Sequence, residues 1–189
     1  MELKKIVKKE KGNFINRFDL HYTTRNGNEK VYEIVSRKQE VTPESLKTGK
    51  PEAVMIIALN VDKTKVCVNK EFRLSVNKEI YNMPAGLIDV GENTICAAER
   101  ELKEETGLDT IEIIDFLDGA YSAIGVSNER TSLVICRANG EFGGNYDELE
   151  EITPRWVDKN RAIEIAESGN CTARTQMFLY FWGKGLLNI

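Results

Sequence analysis

The chain has 189 residues, of which 41% are hydrophobic and 30% are charged, and its formal net charge is −4 at pH 7. This balance is typical of a folded protein with one ordinary domain, or a main domain with a small appendage, and it excludes a disordered or fibrous chain. A net negative charge argues against nucleic acid as the main partner, because proteins that bind the phosphate backbone usually carry a basic surface.

The N-terminal segment MELKKIVKKEKGN is basic, but no apolar stretch follows it. A secretory signal needs such a stretch, so we expect a cytoplasmic protein. The longest apolar run, AVMIIAL at Ala53–Leu59, is too short to cross a bilayer. It predicts a buried strand, and no membrane partner is expected.

The N-terminal part alternates apolar and polar residues, as strands do, on both sides of a turn signal. Asn26-Gly27 lies between the runs INRFDLHYTTR and NEKVYEIVSRK, which predicts a β-hairpin. The polar stretch QEVTPESLKTGKPEA follows, and its two prolines predict a linker. We therefore expect a small antiparallel β subdomain and linker over residues 1–50, with roles in dimerisation and substrate contacts, and a larger domain over residues 51–189.

The larger domain mixes predicted strands with predicted helices. Strand patterns run from Ala53 to about Gly86 and again over residues 113–140. Helices are predicted at about Asn93–Thr106, after Trp156, and in the aromatic segment RTQMFLYFWGKGLL. The elements lack regular βαβ spacing, which favours an α/β fold with a mixed sheet flanked by helices over a doubly wound parallel sheet.

The cysteines are predicted to be reduced and mostly buried thiols. They lie far apart without a CxxC pair, and His21 is the only histidine, which excludes the usual ligand sets of structural zinc. A disulfide framework is not expected either. The four positions are Cys67, Cys96, Cys136 and Cys171.

One predicted helix is strongly acidic. In GLIDVGENTICAAERELKEETGL, residues 86–108, Asn93 is the expected N-cap and Gly107 the expected stop. At about 100° per residue, Ala97 and Ala98 share a face with three carboxylates, and we expect these small neighbours to leave the carboxylates open to a ligand while Ile95 and Leu102 pack on the sheet. The carboxylates are Glu101, Glu104 and Glu105.

Carboxylates this close repel one another unless a cation lies among them. Mg²⁺ takes oxygen ligands and shares its remaining positions with phosphate oxygens. Arg100, one turn before Glu104, could orient a carboxylate, and Gly86 would let the backbone approach closely. The alternative interpretation is a solvated amphipathic helix supported by i,i+4 pairs.

The spacing also matches G-x5-E-x7-R-E-U-x-E-E-x-G-U, with U apolar, at every defining position: Gly86, Glu92, Arg100, Glu101, Leu102, Glu104, Glu105, Gly107 and Leu108. This is the Nudix box, and the chain resembles the Nudix hydrolases. The resemblance implies an α/β/α sandwich and hydrolysis of a nucleoside diphosphate linked to another group, with Mg²⁺ as cofactor and Mn²⁺ as a possible substitute. By the same resemblance, Glu92 and Arg100 hold the loop–helix–loop in its catalytic arrangement. The implied metal ligands are Glu101, Glu105 and the carbonyl of Ala85, with Glu104 as a ligand or catalytic support.

The flanking segments resemble the ADP-ribose pyrophosphatases and related nucleoside-diphosphate-sugar hydrolases. EFR at Glu71–Arg73 and MPAGLID at Met83–Asp89 are similar to the strand pair before the box in that subgroup. The arginine at the position of Arg73 binds the substrate phosphates there, and a guanidinium suits that contact because it pairs bidentately with phosphate oxygens. A surface arginine without this role is the alternative.

The hairpin segment YEIVSRK adds three further matches to that subgroup. Tyr32, Glu33 and Arg37 correspond to residues that stack on adenine, accept from its amino group and contact the diphosphate. Strand alternation puts Tyr32 on the face opposite Glu33 and Arg37. In the subgroup a dimer with an exchanged N-terminal sheet resolves this, so the resemblance implies a homodimer. An ordinary strand of a small sheet is the alternative.

The segment YSAIGVSNERTSLVI resembles the loop that supplies a glutamate near the attacked phosphorus. Glu129 is that residue here, and a mobile carboxylate near the attacking water suits a general base. Glu148, Glu150 and Glu151 in DELEEI are rival candidates, because some Nudix members take a catalytic carboxylate from this later loop.

The identity of the substrate stays open from the sequence. ADP-ribose would give AMP and ribose 5-phosphate, but Ala123 lies where ADP-ribose hydrolases usually carry a proline shortly beyond the box. GDP-mannose, an oxidised nucleotide or a dinucleotide is the alternative within the family. A non-catalytic nucleotide-sugar-binding regulator is the alternative outside it, and the complete carboxylate set argues against that reading.

Overall fold

The computed structural model describes residues 1–143, 151–187 and 189. The chain divides into two compact units, each made of two stretches of sequence. Residues 118–131, which the sequence pattern assigns to the larger domain, belong to the first unit. The first unit contains Met1–Glu52 and Asp118–Thr131, and the second contains Ala53–Leu117 and Ser132–Ile189.

The first unit contains a three-stranded antiparallel sheet in the order β1-β2-β3, with β1 at Glu2–Lys11, β2 at Asn16–Thr23 and β3 at Glu29–Ser36. Strands β2 and β3 form the hairpin predicted around Asn26-Gly27, which is confirmed. Residues 24–28 connect them, and Gly27 takes the left-handed conformation at φ 81°. The connection is longer than the two-residue loops that are commonest in hairpins.

The stretch predicted as a linker also contributes to the core of this unit. It contains a short helix, α1 at Ser45–Thr48. Val41 is buried, and Leu46 packs against the same apolar cluster on the sheet. A small sheet has to bury its apolar face against something, and these two side chains supply part of that cover. The buried sheet residues of the cluster are Phe18, Leu20 and Ile34.

The described residues also form a seven-stranded sheet whose main path runs β10-β5-β4-β9-β8, with β6 paired to β5 and β7 paired to β4. All of this sheet except residues 118–121 of β8 and 130–131 of β9 belongs to the second unit. The strands are β4 (Ala53–Leu59), β5 (Lys65–Arg73), β6 (Lys78–Asn82), β7 (Ala85–Leu87), β8 (Asp109–Tyr121), β9 (Arg130–Asn139) and β10 (Ile152–Asp158). The helices are α2 (Thr94–Thr106), α3 (Lys159–Ser168) and α4 (Ala173–Gly183). All three predicted helices and the buried strand at Ala53–Leu59 are therefore confirmed.

The sheet is mixed, as predicted. Strand β5 pairs antiparallel with β4, β6 and β10, and β7 pairs antiparallel with β4. Strands β4 and β9 are neighbours, and the N–H of Glu52, just before β4, donates to the carbonyl of Arg130, the first residue of β9, at 2.9 Å. These two strands therefore start at the same end and run parallel.

Strand β4 explains the layer arrangement. Its side chains at positions 54, 56 and 58 join an apolar cluster with helix α2, and those at 55, 57 and 59 join a second cluster with helices α3 and α4. A strand covered on both faces reads as an uninterrupted apolar run. The α/β/α sandwich is confirmed, and the acidic helix forms one of its outer layers.

None of the four cysteines is in a disulfide, and Cys67 and Cys136 are buried whereas Cys96 is exposed. Across the residues that the structure describes, no helix has the length and apolar character needed to cross a membrane.

Candidate functional site

The acidic helix α2 is fixed at both ends as predicted. Oδ1 of Asn93 accepts hydrogen bonds from the backbone N–H groups of Ile95 and Cys96, each at 3.0 Å. Gly107 adopts φ 80°, and its N–H donates to the carbonyl of Lys103 at 2.9 Å. These contacts determine where the helix begins and ends, and the direction of its carboxylates depends on which face packs on the sheet.

The prediction for the small residues of this helix is wrong. Ala97 and Ala98 are buried in the cluster beneath the helix, together with Leu102, and do not open a path to the carboxylates. Small side chains at these positions let the helix approach the sheet closely. Glu101 and Glu105 are consequently half-buried at the edge of this contact, whereas Glu104 is exposed.

Arg100 is the positive group among these carboxylates. Its guanidinium donates to both oxygens of Glu92, at 3.1 and 2.9 Å, and to one oxygen each of Glu101 and Glu104, at 2.9 and 3.0 Å. It also donates to the carbonyl of Leu87 at 2.9 Å, in the strand that leads into the loop before the helix. These hydrogen bonds, above all those to Glu92, raise the pKa of Arg100 above its usual range.

Glu105 is held from the sheet side. Its Oε2 accepts from Nδ2 of Asn69 at 2.8 Å and from the backbone N–H of Ala85 at 3.2 Å. The sequence singled out the carbonyl of Ala85 as a metal ligand, and the contact in this structure uses its N–H. The carbonyl's role stays a prediction.

Gly86 makes room for a second carboxylate. A Cβ at this position would lie 1.9 Å from Cδ of Glu101 and 2.1 Å from each of its oxygens, far inside any permitted contact. Only glycine lets the Glu101 carboxylate lie against the backbone of β7. The motif glycine is therefore required sterically by a motif glutamate.

One face of strand β5 extends this polar region, and the sequence reasoning found only its last member. Cys67, Asn69, Glu71 and Arg73 alternate along this face, and all but Arg73 are buried. Arg73 is exposed, and its Nη1 lies 3.6 Å from Oε2 of Glu71. The sequence could have indicated this face, because polar residues occupy alternate positions of β5 that strand alternation places on its buried side.

The negative charge of Glu105 affects the pKa of the buried Cys67 thiol. Burial raises its pKa, and the negative charge of Glu105 and the neighbouring Cys136 raise it further. Without a metal ion beside it, the thiol is therefore kept neutral at neutral pH.

The groups present fit a hard divalent cation. Glu101 and Glu105 supply carboxylate oxygens beside the backbone of β7, and the glycine at position 86 leaves that space free of a side chain. Oxygen donors of this kind are those that Mg²⁺ takes. Within the described ranges, no three His, Cys, Asp or Glu side chains already converge as a ligand set, and Arg100 forms ion pairs with Glu101 and Glu104.

The remaining predicted site residues lie in the first unit. Nε of Arg37 donates to Oε2 of Glu129 at 3.0 Å, and the hydroxyl of Tyr32 donates to the carbonyl of Gly125 at 2.6 Å. Glu33 is exposed and lies opposite Asp19 in the β2–β3 register. The unit thus brings Tyr32 and Arg37 onto the segment that carries Glu129, and it does not bring Glu33 there by any hydrogen bond seen among the described residues.

The segment with Glu129 follows the outer edge of β3. The N–H of Val35 donates to the carbonyl of Val126 at 2.8 Å, and Val35 and Ser127 form a parallel bridge. These backbone contacts explain why residues 118–131 belong to the first unit.

The strand alternation predicted for Tyr32 and Glu33 is present, since Tyr32 lies opposite Leu20, a core residue of this sheet.

The rival candidates for the general base are Glu148, Glu150 and Glu151. Glu148 and Glu150 fall outside the described residues. Glu151 is exposed just before β10, and its carbonyl accepts from the N–H of Phe72 at 3.1 Å.

We expect the Glu92–Arg100 pair to make stability sensitive to acid. Hydrogen bonds from Arg100 hold the pKa of Glu92 below its ordinary value. The stabilisation is therefore present above the unfolded-chain pKa of about 4.3 and is lost as the pH falls through the lower folded-state pKa. Glu92→Gln should flatten the fall in unfolding temperature between about pH 5 and 3, measured by circular dichroism. Glu99→Gln, exposed on the same helix, is the control and should keep the parent slope; a parent-like slope in Glu92→Gln would contradict the assignment.

The α/β/α layers and the acidic helix that packs on them define the class of this protein, and the comparisons agree. The NUDIX domain matches residues 49–174, more than half of the chain. The chain therefore belongs to the Nudix family.

The chain is also similar to individual members of that family. It is 29% identical over 117 residues to an ADP-ribose pyrophosphatase of Bacillus subtilis, which covers 62% of this chain and 57% of the relative. It is 32% identical over 106 residues to an ADP-ribose pyrophosphatase of Saccharomyces cerevisiae, covering 56% of this chain and 40% of the relative. The chain thus spans less than two thirds of the length of these curated relatives.

A solved structure supports the fold. The crystal structure of an ADP compounds hydrolase superposes with a TM-score of 0.72, covers 99% of this chain and 98% of its own, and is 21% identical. At that identity the likeness establishes the architecture.

Proposed function

We propose that this protein hydrolyses the diphosphate bond of ADP-ribose or a related nucleoside diphosphate sugar, with Mg²⁺ as cofactor, and converts ADP-ribose to AMP and ribose 5-phosphate. The observation that carries the proposal is the arrangement on α2, where Glu101 lies against Gly86 and Glu105 is held from β5 and β7. Membership of the Nudix family and the similarity to two ADP-ribose pyrophosphatases support the choice of substrate class.

The groups that would hold the cation are the Glu101 and Glu105 carboxylates and the Ala85 carbonyl, with Glu104 as a ligand or close support. When bound, a divalent ion screens the phosphate charge and makes water a better nucleophile. Arg100 keeps its contacts with Glu92 and Leu87 independently of the other carboxylates. It can therefore go on holding the loop when Glu101 and Glu104 turn towards a cation.

The substrate contacts follow from residue chemistry. Arg37 and Arg73 would pair with diphosphate oxygens, for which a guanidinium is suited. Glu33 would accept from the amino group of adenine, and Tyr32 would stack on the base.

A homodimer remains part of this proposal, because the subgroup that the chain resembles assembles these contacts from two subunits. Light scattering of the purified protein tests that part.

Glu129 would act as the general base. It takes a proton from the attacking water, whose oxygen forms a bond to one phosphorus while the bond from that phosphorus to the bridging oxygen breaks, and the other phosphate leaves with that oxygen. Arg37 holds the Glu129 carboxylate in this structure. A diphosphate that binds Arg37 would compete for the same guanidinium and leave Glu129 available for the proton.

A substrate panel with Mg²⁺, scored by the released phosphomonoester, tests the proposed function. We expect kcat/KM for ADP-ribose to exceed that for GDP-mannose by at least ~10-fold, because guanine has a carbonyl oxygen where adenine has the 6-amino group that Glu33 would accept from, so this hydrogen bond is lost. An oxidised nucleotide and a dinucleotide complete the panel. Equal or higher values for GDP-mannose or another member would reject the adenine-based assignment, and no hydrolysis of any member would favour a binding regulator.

A further inference from the structure

Asn69 occupies a position where strand alternation predicts an apolar residue. It lies in the middle of β5 with an exposed fraction of 1%, and it shares its face with the fully buried Cys67. Strand β4 beside it fills its equivalent positions under α2 with Val54, Ile56 and Ala58. A carboxamide at this position therefore needs an explanation other than packing.

The two ends of this amide have different surroundings. Nδ2 donates to Oε2 of Glu105 at 2.8 Å. Oδ1 is buried and has no hydrogen-bond partner among the residues that the structure describes. A buried oxygen without a partner destabilises the folded state, and an apolar residue of the same shape would avoid that loss. The benefit of Asn69 therefore lies in its contact with Glu105.

That contact fixes one oxygen of the Glu105 carboxylate. Oε2 accepts from Asn69 on β5 and from the N–H of Ala85 on β7, so two separate strands determine its position. The terminal torsion of a glutamate is otherwise broad. Hydrogen bonds of this kind orient metal-binding carboxylates, and their loss usually lowers metal affinity about 10- to 100-fold.

We propose that Asn69 is a positioning residue that holds Glu105 in the orientation in which it binds the divalent ion. This inference rests on the proposed function, since it gives Glu105 a metal to bind. It adds a residue that lies outside the box motif and that acts only through Glu105.

The substitution Asn69→Leu tests the proposal, because leucine has the shape of asparagine without its donor. We expect it to weaken Mn²⁺ binding about 10-fold or more, followed by electron paramagnetic resonance of the free ion. The unfolding temperature of the metal-free protein should stay at or above that of the parent. Asn16→Leu is the matched control: Asn16 is as buried as Asn69, and its Nδ2 donates to the carbonyl of Lys38 at 3.0 Å within the first unit, so its loss should lower the unfolding temperature and leave Mn²⁺ binding unchanged.

A double-mutant cycle separates positioning from a general effect on the fold. If Asn69 acts through Glu105, Asn69→Leu causes no further loss of Mn²⁺ affinity in the Glu105→Gln background. Equal losses in both backgrounds would overturn the proposal, and so would unchanged affinity in the single variant. Should the leucine variant fail to fold, Asn69→Ala removes the amide without adding bulk and goes through the same cycle.

Failure of this inference is distinguishable from failure of the proposed function. If Glu105→Gln leaves Mn²⁺ binding unchanged, Glu105 does not bind the metal and the inference for Asn69 is overturned. The proposed metal site is overturned as well if Glu101→Gln also leaves Mn²⁺ binding unchanged. If Glu105→Gln weakens Mn²⁺ binding whereas Asn69→Leu does not, only the role of Asn69 is wrong.

Discussion

Replacing Glu105 with glutamine is expected to lower kcat/KM for ADP-ribose by at least ~10²-fold, the scale of losing one well-placed electrostatic group. Glutamine keeps a side-chain oxygen that can accept from Asn69 and Ala85, so the contacts seen at Oε2 can be retained. What is removed is the negative charge. The measurement is steady-state hydrolysis with increasing Mg²⁺, in which the variant should need more Mg²⁺ as well as turn over more slowly.

Glu99→Gln is the matched control for that experiment. Glu99 lies on the same helix but is exposed, so the substitution removes the same charge from α2 without touching the β5 and β7 contacts. It should leave both kcat/KM and the Mg²⁺ dependence at parent values. Parent-like behaviour of Glu105→Gln would remove Glu105 from the metal site.

Helix α2 shows which parts of the site were predictable. Its ends follow from local chemistry, because an Asn N-cap and a left-handed Gly are recognisable in the sequence, and both are present at Asn93 and Gly107. The side on which it packs was predicted wrongly at Ala97 and Ala98. Helical periodicity places residues on a shared face but does not say how far the sheet extends beneath that face.

The site contacts that the sequence did not predict join distant parts of the chain. Asn69 and Glu105 are 36 positions apart, and Arg37 and Glu129 are 92 positions apart. Neither pair has a local signature, since such contacts depend on strand order and register, which a single sequence does not specify. The same holds for the pairing of Val35 with Ser127, which joins residues 118–131 to the first unit.

Glu129→Gln is expected to lower kcat by about 10²- to 10³-fold with Mn²⁺ binding unchanged, because general base catalysis contributes on that scale. Glutamine can still accept from Nε of Arg37, so the segment can keep its contact in the first unit. The deficit should narrow as the pH rises, since hydroxide attacks without needing a base. The measurement is kcat across the alkaline range for the parent and the variant.

Glu151→Gln tests the rival assignment under the same conditions. Glu151 is exposed before β10, and its one identified contact in the described structure is through the backbone, so the substitution leaves that contact in place. If Glu129 is the base, Glu151→Gln keeps the parent kcat at every pH. If the large, pH-dependent loss appears in Glu151→Gln and not in Glu129→Gln, the general base that takes the proton from the water belongs to the second unit. Arg37 would then hold Glu129 for a structural reason alone.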